Sequence, residues 1–258
     1  MVAADMQLYH GDCLEGMSRL EDNSVDLICV DPPYGTTVIK WDTPLSLDRM
    51  WAEYERVLKP FGTIVIFGQQ PFTSRLVSSN YDMFKYSLVW RKSKVGHFAQ
   101  APYRPLTEHE DVLVFSRGGT GCNSKNPMTY NPQGLIPCTV HIGKDTAQRK
   151  HRPGTVPRPA YTQTHTNYPR SILDFPSTNG GKILHPTQKP VELIEYLVKT
   201  FSNEGELVLD SCMGSGTTGV ACARTNRRFV GFELDEDIYN CAKRRIEDSQ
   251  PVVETPTC

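Results

Sequence analysis

The sequence predicts an α/β protein whose sheet is mostly parallel and carries helices on both faces. Short apolar runs alternate with amphipathic segments near both ends of the 258-residue chain, and a glycine-rich turn joins a late apolar run to a helix. This alternation favours a parallel sheet because each helix returns the chain to begin the next strand in the same direction. A chain of this length can bury a full hydrophobic core.

The elements of the first part, 1–116, follow from apolar runs and helix-ending residues. Residues 47–58 have helical spacing, with apolar side chains on one face. Residues 59–62, Lys-Pro-Phe-Gly, are expected to end that helix, since proline and glycine interrupt helical structure. The predicted strands of this part are 6–10, 25–31, 63–68, 86–92 and 110–117.

The last part, 185–248, returns to the same pattern. A helix is predicted at 190–201, where Pro190 suits the first turn because an N–H would have no helical partner there. Residues 249–258 are expected to form a loose tail. The other predicted elements are a strand at 205–210, a helix at 217–224, a strand at 228–233 and a closing helix at 235–248.

The middle region, 117–184, has a different composition. It is rich in Gly, Pro, Thr, Asn, Arg and Tyr, and it has no sustained helical or strand period. Its prolines disfavour long helices. We therefore expect an irregular insert between the two α/β parts, of the kind that usually carries function or is disordered.

The charge distribution indicates a polyanionic partner. The formal net charge is −1 at pH 7, yet residues 85–190 contain 15 of the 28 Lys and Arg and only 5 of the 29 Asp and Glu. Six of the seven histidines lie in the same stretch. A basic segment in an otherwise acidic chain favours a local site for a polyanion, although a solvated surface is the plainer interpretation.

The composition excludes fibrous, disordered and membrane-spanning classes, since 38% of the residues are hydrophobic, 22% are charged and the apolar runs are short. None of the eight cysteines forms a Cys-x-x-Cys pair. This indicates free thiols in a reducing compartment and no metal site. The first residues lack the basic and apolar pattern of a secretory signal, so a cytoplasmic protein is expected.

The glycine-rich turn, 210–219, reads Asp-Ser-Cys-Met-Gly-Ser-Gly-Thr-Thr-Gly between a predicted strand and a helix. Its glycines satisfy G-x-G-x-x-G, and Glu233 ends the next strand at a position suited to ribose hydroxyls. A nucleoside site is indicated; the alternative is an ordinary tight turn. Few residues follow Glu233, so the remaining strands must come from earlier in the chain, which disfavours an NAD-dependent dehydrogenase.

A second candidate site follows the apolar run at 25–30, where the chain reads Asp31, Pro32, Pro33, Tyr34. Prolines lack an N–H, so the loop offers a carboxylate, carbonyls and an aromatic ring at the carboxyl end of a strand, where ligands of parallel sheets bind. A carboxylate and a carbonyl can accept both hydrogens of an exocyclic amino group while the ring stacks on the base. Alone, the tetrapeptide could equally be a rigid turn with a surface tyrosine.

Three blocks together carry a family resemblance: DPPYG (31–35), HPTQKP (185–190) and DSCMGSGTTG (210–219), with FVGFELDEDIY (229–239) after them. The chain resembles the amino-group DNA methyltransferases that use S-adenosylmethionine to modify cytosine N4 or adenine N6. The order of its blocks is that of the β group, DPPY type. The resemblance covers about 7–116 and 184–248.

The resemblance implies a Rossmann-like sheet in circularly permuted order. Residues 1–116 would form the catalytic half, 117–184 the target-recognition region, 185–248 the cofactor-binding half and 249–258 the tail. The expected partners are double-stranded DNA, a cognate restriction endonuclease and a second copy of the chain. The expected location is the cytoplasm of a prokaryotic cell or of a phage-infected host.

The resemblance also implies roles for the residues of the tetrapeptide, Asp31 to Tyr34. Asp31 and the Pro32 carbonyl would accept hydrogen bonds from the target amino group, Pro33 would stiffen the loop, and Tyr34 would stack on a base flipped out of the duplex. No covalent enzyme intermediate is expected. Aspartate at position 31 favours adenine N6 over cytosine N4.

For S-adenosylmethionine, the resemblance assigns Glu233 to the ribose and Lys189, with the loop before it, to the methionine carboxylate. Asp12 and Thr217 could equally be helix caps. The full predicted cofactor set is Asp12, His185, Thr187, Gln188, Lys189, Asp210, Gly214, Ser215, Gly216, Thr217, Thr218 and Glu233. The predicted DNA-contacting residues of the middle region are Arg149, Lys150, Arg152, Arg158 and Arg170.

Three alternatives stay open at this point. The chain could methylate cytosine N4 or RNA, which nucleoside analysis would distinguish. It could bind DNA through an inactive transferase core, in which case binding would occur without turnover. The dehydrogenase interpretation is the weakest, because no hydride-transfer residues accompany the glycine turn.

Overall fold

The computed structural model describes residues 5–35, 44–96, 98–143, 159–177 and 188–250. The chain divides into two compact units. One comprises the chain up to Asn131 together with the chain from Ser171 onward, and the other is Pro132–Arg170. The predicted tail therefore lies, from residue 251 onward, outside the described residues.

Strands and helices alternate through most of the described chain. The strands are β1 (Met6–His10), β2 (Val25–Val30), β3 (Leu58–Gly68), β4 (Phe84–Gly96), β5 (Thr107–Ser116), β6 (Ile136–Ile142), β7 (Tyr161–Thr166), β8 (Ile172–Asp174), β9 (Leu207–Asp210) and β10 (Arg228–Glu233). The helices are α1 (Cys13–Met17), α2 (Leu47–Val57), α3 (Phe72–Ser79), α4 (Val191–Phe201), α5 (Thr217–Thr225) and α6 (Glu236–Glu247), with a short 3₁₀ turn at Phe98–Gln100. Within these ranges no helix is long and apolar enough to cross a bilayer.

The larger unit is built on one eight-stranded sheet in the order β1-β10-β9-β2-β3-β5-β4-β8. β1, β10, β9, β2 and β3 are mutually parallel, whereas β5 runs antiparallel to both β3 and β4. The first strand pairs with the last, with His10 opposite Glu233. This confirms the predicted mostly parallel α/β sheet, in which early strands complete the sheet around the glycine turn.

Apolar side chains fill both faces of this sheet. In β2, Leu27 and Cys29 pack in the cluster that includes α4 and α5, while Ile28 and Val30 pack with α1, α2 and α3. All six residues of β2 are buried. A strand covered on both faces is apolar without alternation, which is why a continuous apolar run predicted it.

The strand after α2 begins earlier than the sequence predicts. Lys59 to Gly62 was expected to separate the helix from a strand at 63–68, but β3 starts directly at Leu58. β2 pairs with β3 at Leu58 and again only from Thr63, with a register shift between. Pro60 is therefore accommodated in an irregular stretch where the missing N–H breaks no regular ladder.

The middle region is more regular than expected. β6 and β7 form an antiparallel pair within the smaller unit, with Ile136 opposite Thr166 and Ile142 opposite Tyr161. β8 joins the large sheet alongside β4. These pairings join segments far apart in sequence, so no local periodicity indicates them.

Candidate active site

The candidate site lies where three neighbouring parallel strands end. β2 ends immediately before Asp31, β9 ends at Asp210, and β10 ends at Glu233. Because parallel strands end at the same edge, these three carboxylates border one cavity of about 1230 Å³. Typical small-molecule sites span roughly 300–1,000 Å³, so this cavity has room for two ligands side by side.

Nearly all described residues of the predicted catalytic loop and cofactor set line this cavity. They are Asp12, Asp31, Pro32, Pro33, Tyr34, Gln188, Lys189, Asp210, Gly214, Ser215, Thr217, Thr218 and Glu233. Gly216 is the exception: its φ is +77°, and a Cβ there would lie 3.0 Å from the Cβ of Ala242 in α6. Gly216 therefore lets the turn approach α6, since a side chain would meet that helix and the positive φ favours glycine.

The other predicted residues divide into one described residue and several that the structure does not describe. Arg170 belongs to the smaller unit, where it is exposed. The remaining ones lie outside the described residues: His185, Thr187, Arg149, Lys150, Arg152 and Arg158.

The tetrapeptide loop forms a hydrogen-bonded unit. The Tyr34 hydroxyl donates to Oδ1 of Asp31 over 2.7 Å. The Tyr34 ring stacks on Phe72, with centroids 5.0 Å apart and planes 25° from parallel. Burial, together with the carboxylates of Asp31 and Glu110, raises the pKa of Tyr34 well above its ordinary value. The hydroxyl thus stays a donor at neutral pH and holds the Asp31 carboxylate in place.

The second oxygen of Asp31 contacts a buried cation. Lys189 Nζ lies against Oδ2 of Asp31 and 3.2 Å from Oε2 of Glu110. It also lies 5.0 Å from the centroid of the Phe67 ring. Burial would lower the pKa of Lys189, but Asp31 and Glu110 outweigh it and raise that pKa. Lys189 is therefore an ammonium that bridges two carboxylates.

Glu110 is a member of the site that the sequence did not indicate. It is buried in β5, and its carboxylate contacts the ammonium groups of Lys92 and Lys189. Burial tends to raise the pKa of Glu110, but the two lysines outweigh burial and lower it. The one available signal was an acid beside the apolar core of a predicted strand, because unpaired acids are rarely buried.

Asp210 holds the glycine turn in shape. Oδ2 accepts a 2.6 Å hydrogen bond from the Thr218 hydroxyl, and Oδ1 accepts one of 3.1 Å from the Cys212 N–H. Burial raises the pKa of Asp210 to about 7, with the nearby carboxylates of Asp31 and Glu233 adding to the increase and the two hydrogen bonds opposing it. Asp210 therefore holds a proton more readily than an ordinary carboxyl group.

Glu233 joins the end of β10 to the glycine turn. Oε2 accepts from the Gly214 N–H at 3.0 Å, and Oε1 accepts from the Asp235 N–H at 2.9 Å. Each oxygen keeps a second lone pair for a ligand hydroxyl. Gly214 has a φ of +50°, and nothing lies within 4 Å of the position a Cβ would occupy. An acceptor beside an open glycine cradle fits a nucleoside with free ribose hydroxyls, and Phe232 and Ile238 add apolar lining suited to a base.

The structure decides whether Asp12 and Thr217 cap helices. Asp12 caps α1, with Oδ1 accepting from the N–H groups of Leu14 and Glu15 at 2.8 and 3.0 Å. The helix-cap interpretation of Asp12 is therefore realised, although the side chain also borders the cavity. Thr217 does not cap α5, whose N-cap residue is Gly216.

Arg245 in α6 is a further residue that the sequence did not single out. It donates to the carbonyl and hydroxyl oxygens of Ser215 at 2.9 and 3.1 Å and to the Thr217 hydroxyl at 2.9 Å. In an amphipathic helix this arginine has no distinguishing local signal. Its contacts fix the outer side of the glycine turn.

Comparison with known proteins agrees with this geometry. A family model described as DNA methylase matches residues 25–244. The Type II methyltransferase M.HpaI of Haemophilus parainfluenzae is 28% identical over 94% of this chain and 74% of its own length. The DNA adenine methyltransferase YhdJ of Escherichia coli is 28% identical over 93% of this chain and 82% of its own length.

A solved structure shares the fold over nearly the whole chain. The crystal structure of the M1.HpyAVI-SAM complex superimposes with a TM-score of 0.63 at 25% identity, covering 93% of this chain and 98% of that one. The match to the family model spans far more than half of the sequence and includes the tetrapeptide, the glycine turn and Glu233. The predicted resemblance is confirmed: this chain belongs to the N6/N4 family of DNA methylases.

Proposed function

We propose that this DNA methylase transfers a methyl group from S-adenosylmethionine to the N6 amino group of an adenine flipped out of double-stranded DNA. The observation that carries the proposal is the position of the Asp31–Tyr34 loop, which borders the same cavity as the glycine turn and Glu233. The adenine methyltransferase YhdJ and the cofactor-bound M1.HpyAVI support the choice of base and cofactor.

The cavity wall formed by β9 and β10 fits the cofactor. Glu233 would accept hydrogen bonds from the ribose hydroxyls, and the open face of Gly214 would let the ligand approach the backbone. Bound there, S-adenosylmethionine supplies an electrophilic methyl group attached to a sulfonium. His185 and Thr187 stay predicted contacts on the same side.

The tetrapeptide loop would prepare the amino group. The lone pair of an adenine amino nitrogen is delocalised into the ring, which makes it a poor nucleophile. Asp31 and the Pro32 carbonyl would accept its two hydrogens, favour a pyramidal nitrogen and direct the lone pair toward the methyl group. As the nitrogen bonds to the methyl group and the carbon–sulfur bond breaks, the nitrogen becomes positive, and the Asp31 carboxylate stabilises that charge.

Lys189 would serve the catalytic loop and not the cofactor carboxylate to which the resemblance assigned it. Its ammonium contacts Asp31 and Glu110 within the buried part of the site. Together with the Tyr34 hydroxyl it orients the Asp31 carboxylate, so Asp31 acts as an acceptor and electrostatic stabiliser. Glu110 and Lys92 would in turn position Lys189.

DNA would be recognised by the middle region, 117–184. The support is its basic sequence, which includes the predicted contacts Arg149, Lys150, Arg152, Arg158 and Arg170. The bacterial relatives support a place in the cytoplasm of a prokaryotic cell. A phage-infected host stays a prediction. A cognate endonuclease and a homodimer stay predictions.

The decisive experiment is mass spectrometry of nucleosides from unmodified plasmid DNA incubated with the protein and S-adenosylmethionine. We expect N6-methyladenine, with the modified sites then located by sequencing. N4-methylcytosine would retain the mechanism but overturn the choice of base. If the protein binds DNA but methylates neither plasmids of varied sequence nor RNA, the result would instead support an inactive transferase core.

A further inference from the structure

The connection between β4 and β5 forms a compact turn beside the cavity. We call residues 98–106 the tip loop. The strands below it pair up to Gly96 opposite Thr107. Within the loop, the N–H groups of Tyr103 and Arg104 both donate to the carbonyl of Gln100, at 2.9 and 3.0 Å. The tip loop is therefore a defined turn at the end of a paired hairpin.

The tip loop exposes two aromatic rings next to residues of the site. Phe98 is 68% exposed and Tyr103 is 87% exposed. Gln100 and Arg104, in the same turn, line the cavity that contains Asp31. Side chains this exposed contribute little to the stability of the fold, because their apolar area stays in water. Two of them at the edge of a ligand cavity mark a surface for a partner.

The charge around these rings indicates the chemistry of that partner. Residues 91–109 contain four Lys or Arg and one Glu. Arg91 and Lys92 pair with acids of the protein. Lys94 and Arg104 are exposed, and neither has an ion-pair partner in the described part of the chain. Exposed rings next to unpaired cations suit nucleic acid, because the rings stack on bases and the cations attract phosphates.

A flipped adenine explains why rings are needed at this position. Moving the target base into the cavity breaks its pair and leaves neighbouring bases unstacked. We propose that the tip loop holds the duplex open at the target: Tyr103 and Phe98 stack on the bases left exposed, and Arg104 and Lys94 bind the adjacent phosphates. The inference rests on the proposed function and adds a DNA contact in the catalytic half, apart from the middle region.

The test compares Tyr103→Ala with Tyr81→Ala. Tyr81 is an exposed tyrosine of the same unit, 74% exposed, that does not line the cavity. Methylation is measured on a matched duplex and on a duplex with an abasic site opposite the target adenine. We expect Tyr103→Ala to lose about tenfold in kcat/KM on the matched duplex, the order of one lost stack. It should recover to about wild type on the abasic duplex, where the target is already unpaired.

Tyr81→Ala should match wild type on both duplexes, and S-adenosylmethionine binding should be unchanged in both variants. Unaltered activity of Tyr103→Ala on the matched duplex would overturn the inference. An equal loss on both duplexes would also overturn it, because the loop would then act on chemistry or folding.

A binding measurement needs no turnover and separates this inference from the proposed function. By fluorescence anisotropy, Tyr103→Ala should bind a fully paired duplex more weakly than wild type and should bind a duplex with one unpaired adenine as wild type does. Its preference for the unpaired adenine should therefore exceed that of wild type, whereas Tyr81→Ala should match wild type on both duplexes. Absence of methylation with this difference present would count against the proposed function alone. The same preference in Tyr103→Ala as in wild type would count against the tip loop alone.

Discussion

The buried ammonium of Lys189 forms an ion pair with the half-buried carboxylate of Asp31, although 158 positions separate the two residues. Glu110 contacts the other side of the same ammonium, and Lys92 contacts Glu110. Two acids and two bases thus alternate through the wall of the site and balance in charge. This arrangement joins the HPTQKP block to the DPPYG block through the contact of Lys189 with Asp31.

Lys189→Met should reduce kcat by about 100-fold, because Asp31 would lose the cation that orients its carboxylate. Removing one partner of a buried pair should also lower the free energy of unfolding by roughly 3–5 kcal/mol. The measurements are kcat and urea unfolding as a function of pH. Without Lys189 the pKa of Glu110 should rise, so the loss of stability at acid pH should begin at higher pH.

The double variant Lys189→Met with Glu110→Gln is the matched control. It should regain stability relative to Lys189→Met, since the charges left in the wall of the site, Asp31 and Lys92, again balance, but it should not regain activity. An unshifted pH profile in Lys189→Met would show that the ammonium does not act on the carboxylates. In wild type, the stabilisation by Glu110 is present at neutral pH and is lost as the pH falls below the ordinary value of 4.5, because its folded pKa is lowered.

Asp31→Ala should abolish methyl transfer while S-adenosylmethionine binding stays within about twofold of wild type. The substitution removes an acceptor of the target amino group and leaves the contacts of Glu233 to Gly214 intact. Turnover and calorimetric cofactor binding are the two measurements, with exposed Asp82→Ala as the control acid. Loss of both activities together would identify the loop as a structural turn.

Glu233→Ala should weaken S-adenosylmethionine binding by at least about tenfold, because the proposed ribose acceptor disappears, and a charge-assisted hydrogen bond contributes about 1.5–3 kcal/mol. At saturating cofactor, kcat should stay close to wild type. Glu236→Ala is the matched control, since Glu236 is an exposed acid in the first turn of α6. An unchanged dissociation constant in Glu233→Ala would exclude the assigned role.

Asp210→Asn should change how stability depends on pH. The folded pKa of Asp210, about 7, lies above its ordinary value of 3.8. Between these pH values the Asp210 carboxyl loses its proton in the unfolded chain but keeps it in the folded chain. The free energy of unfolding of wild type should therefore fall as pH rises toward 7, by at most about 1.4 kcal/mol per pH unit. Thermal unfolding should show the stability of the variant relative to wild type rising from pH 4 to 7 and staying constant above pH 7. A difference independent of pH would contradict the raised pKa.

DNA affinity should fall steeply with salt if the basic middle region binds phosphates. Replacing Arg149, Lys150, Arg152 and Arg158 together by Gln should reduce the slope of log K against log salt by about one per lost phosphate contact. Binding titrations between 50 and 200 mM salt, roughly the range where such contacts are released, provide the measurement. Arg19→Gln, an exposed arginine near α1, is the control. A shallow slope in wild type would argue against phosphate contacts in this region.

Local apolar patterns predicted the two strands, β2 and β9, that end at the site. The apolar run at 25–30 became the buried strand β2, and the run ending at Asp210 became β9, because uninterrupted apolar residues bounded by polar turns suit a strand covered on both faces. Strands of the same direction end at the same edge of the sheet. Local patterns placed Asp31 in one candidate site and Asp210 with Glu233 in another. The family resemblance joined the two sites, and the sheet brings the three carboxylates to one cavity.

The sequence by itself determined the α/β alternation and the residue types of the Asp31–Tyr34 loop and the glycine turn, since each depends on residues close together in the chain. The permuted strand order followed from the order of the sequence blocks along the chain. Tertiary structure alone decided that Lys189 pairs with Asp31 and Glu110 and that Arg245 holds Ser215 and Thr217. It also decided the antiparallel direction of β5 and the β6–β7 pairing. These contacts join distant segments, and their geometry depends on how whole elements pack, so no local pattern encodes them.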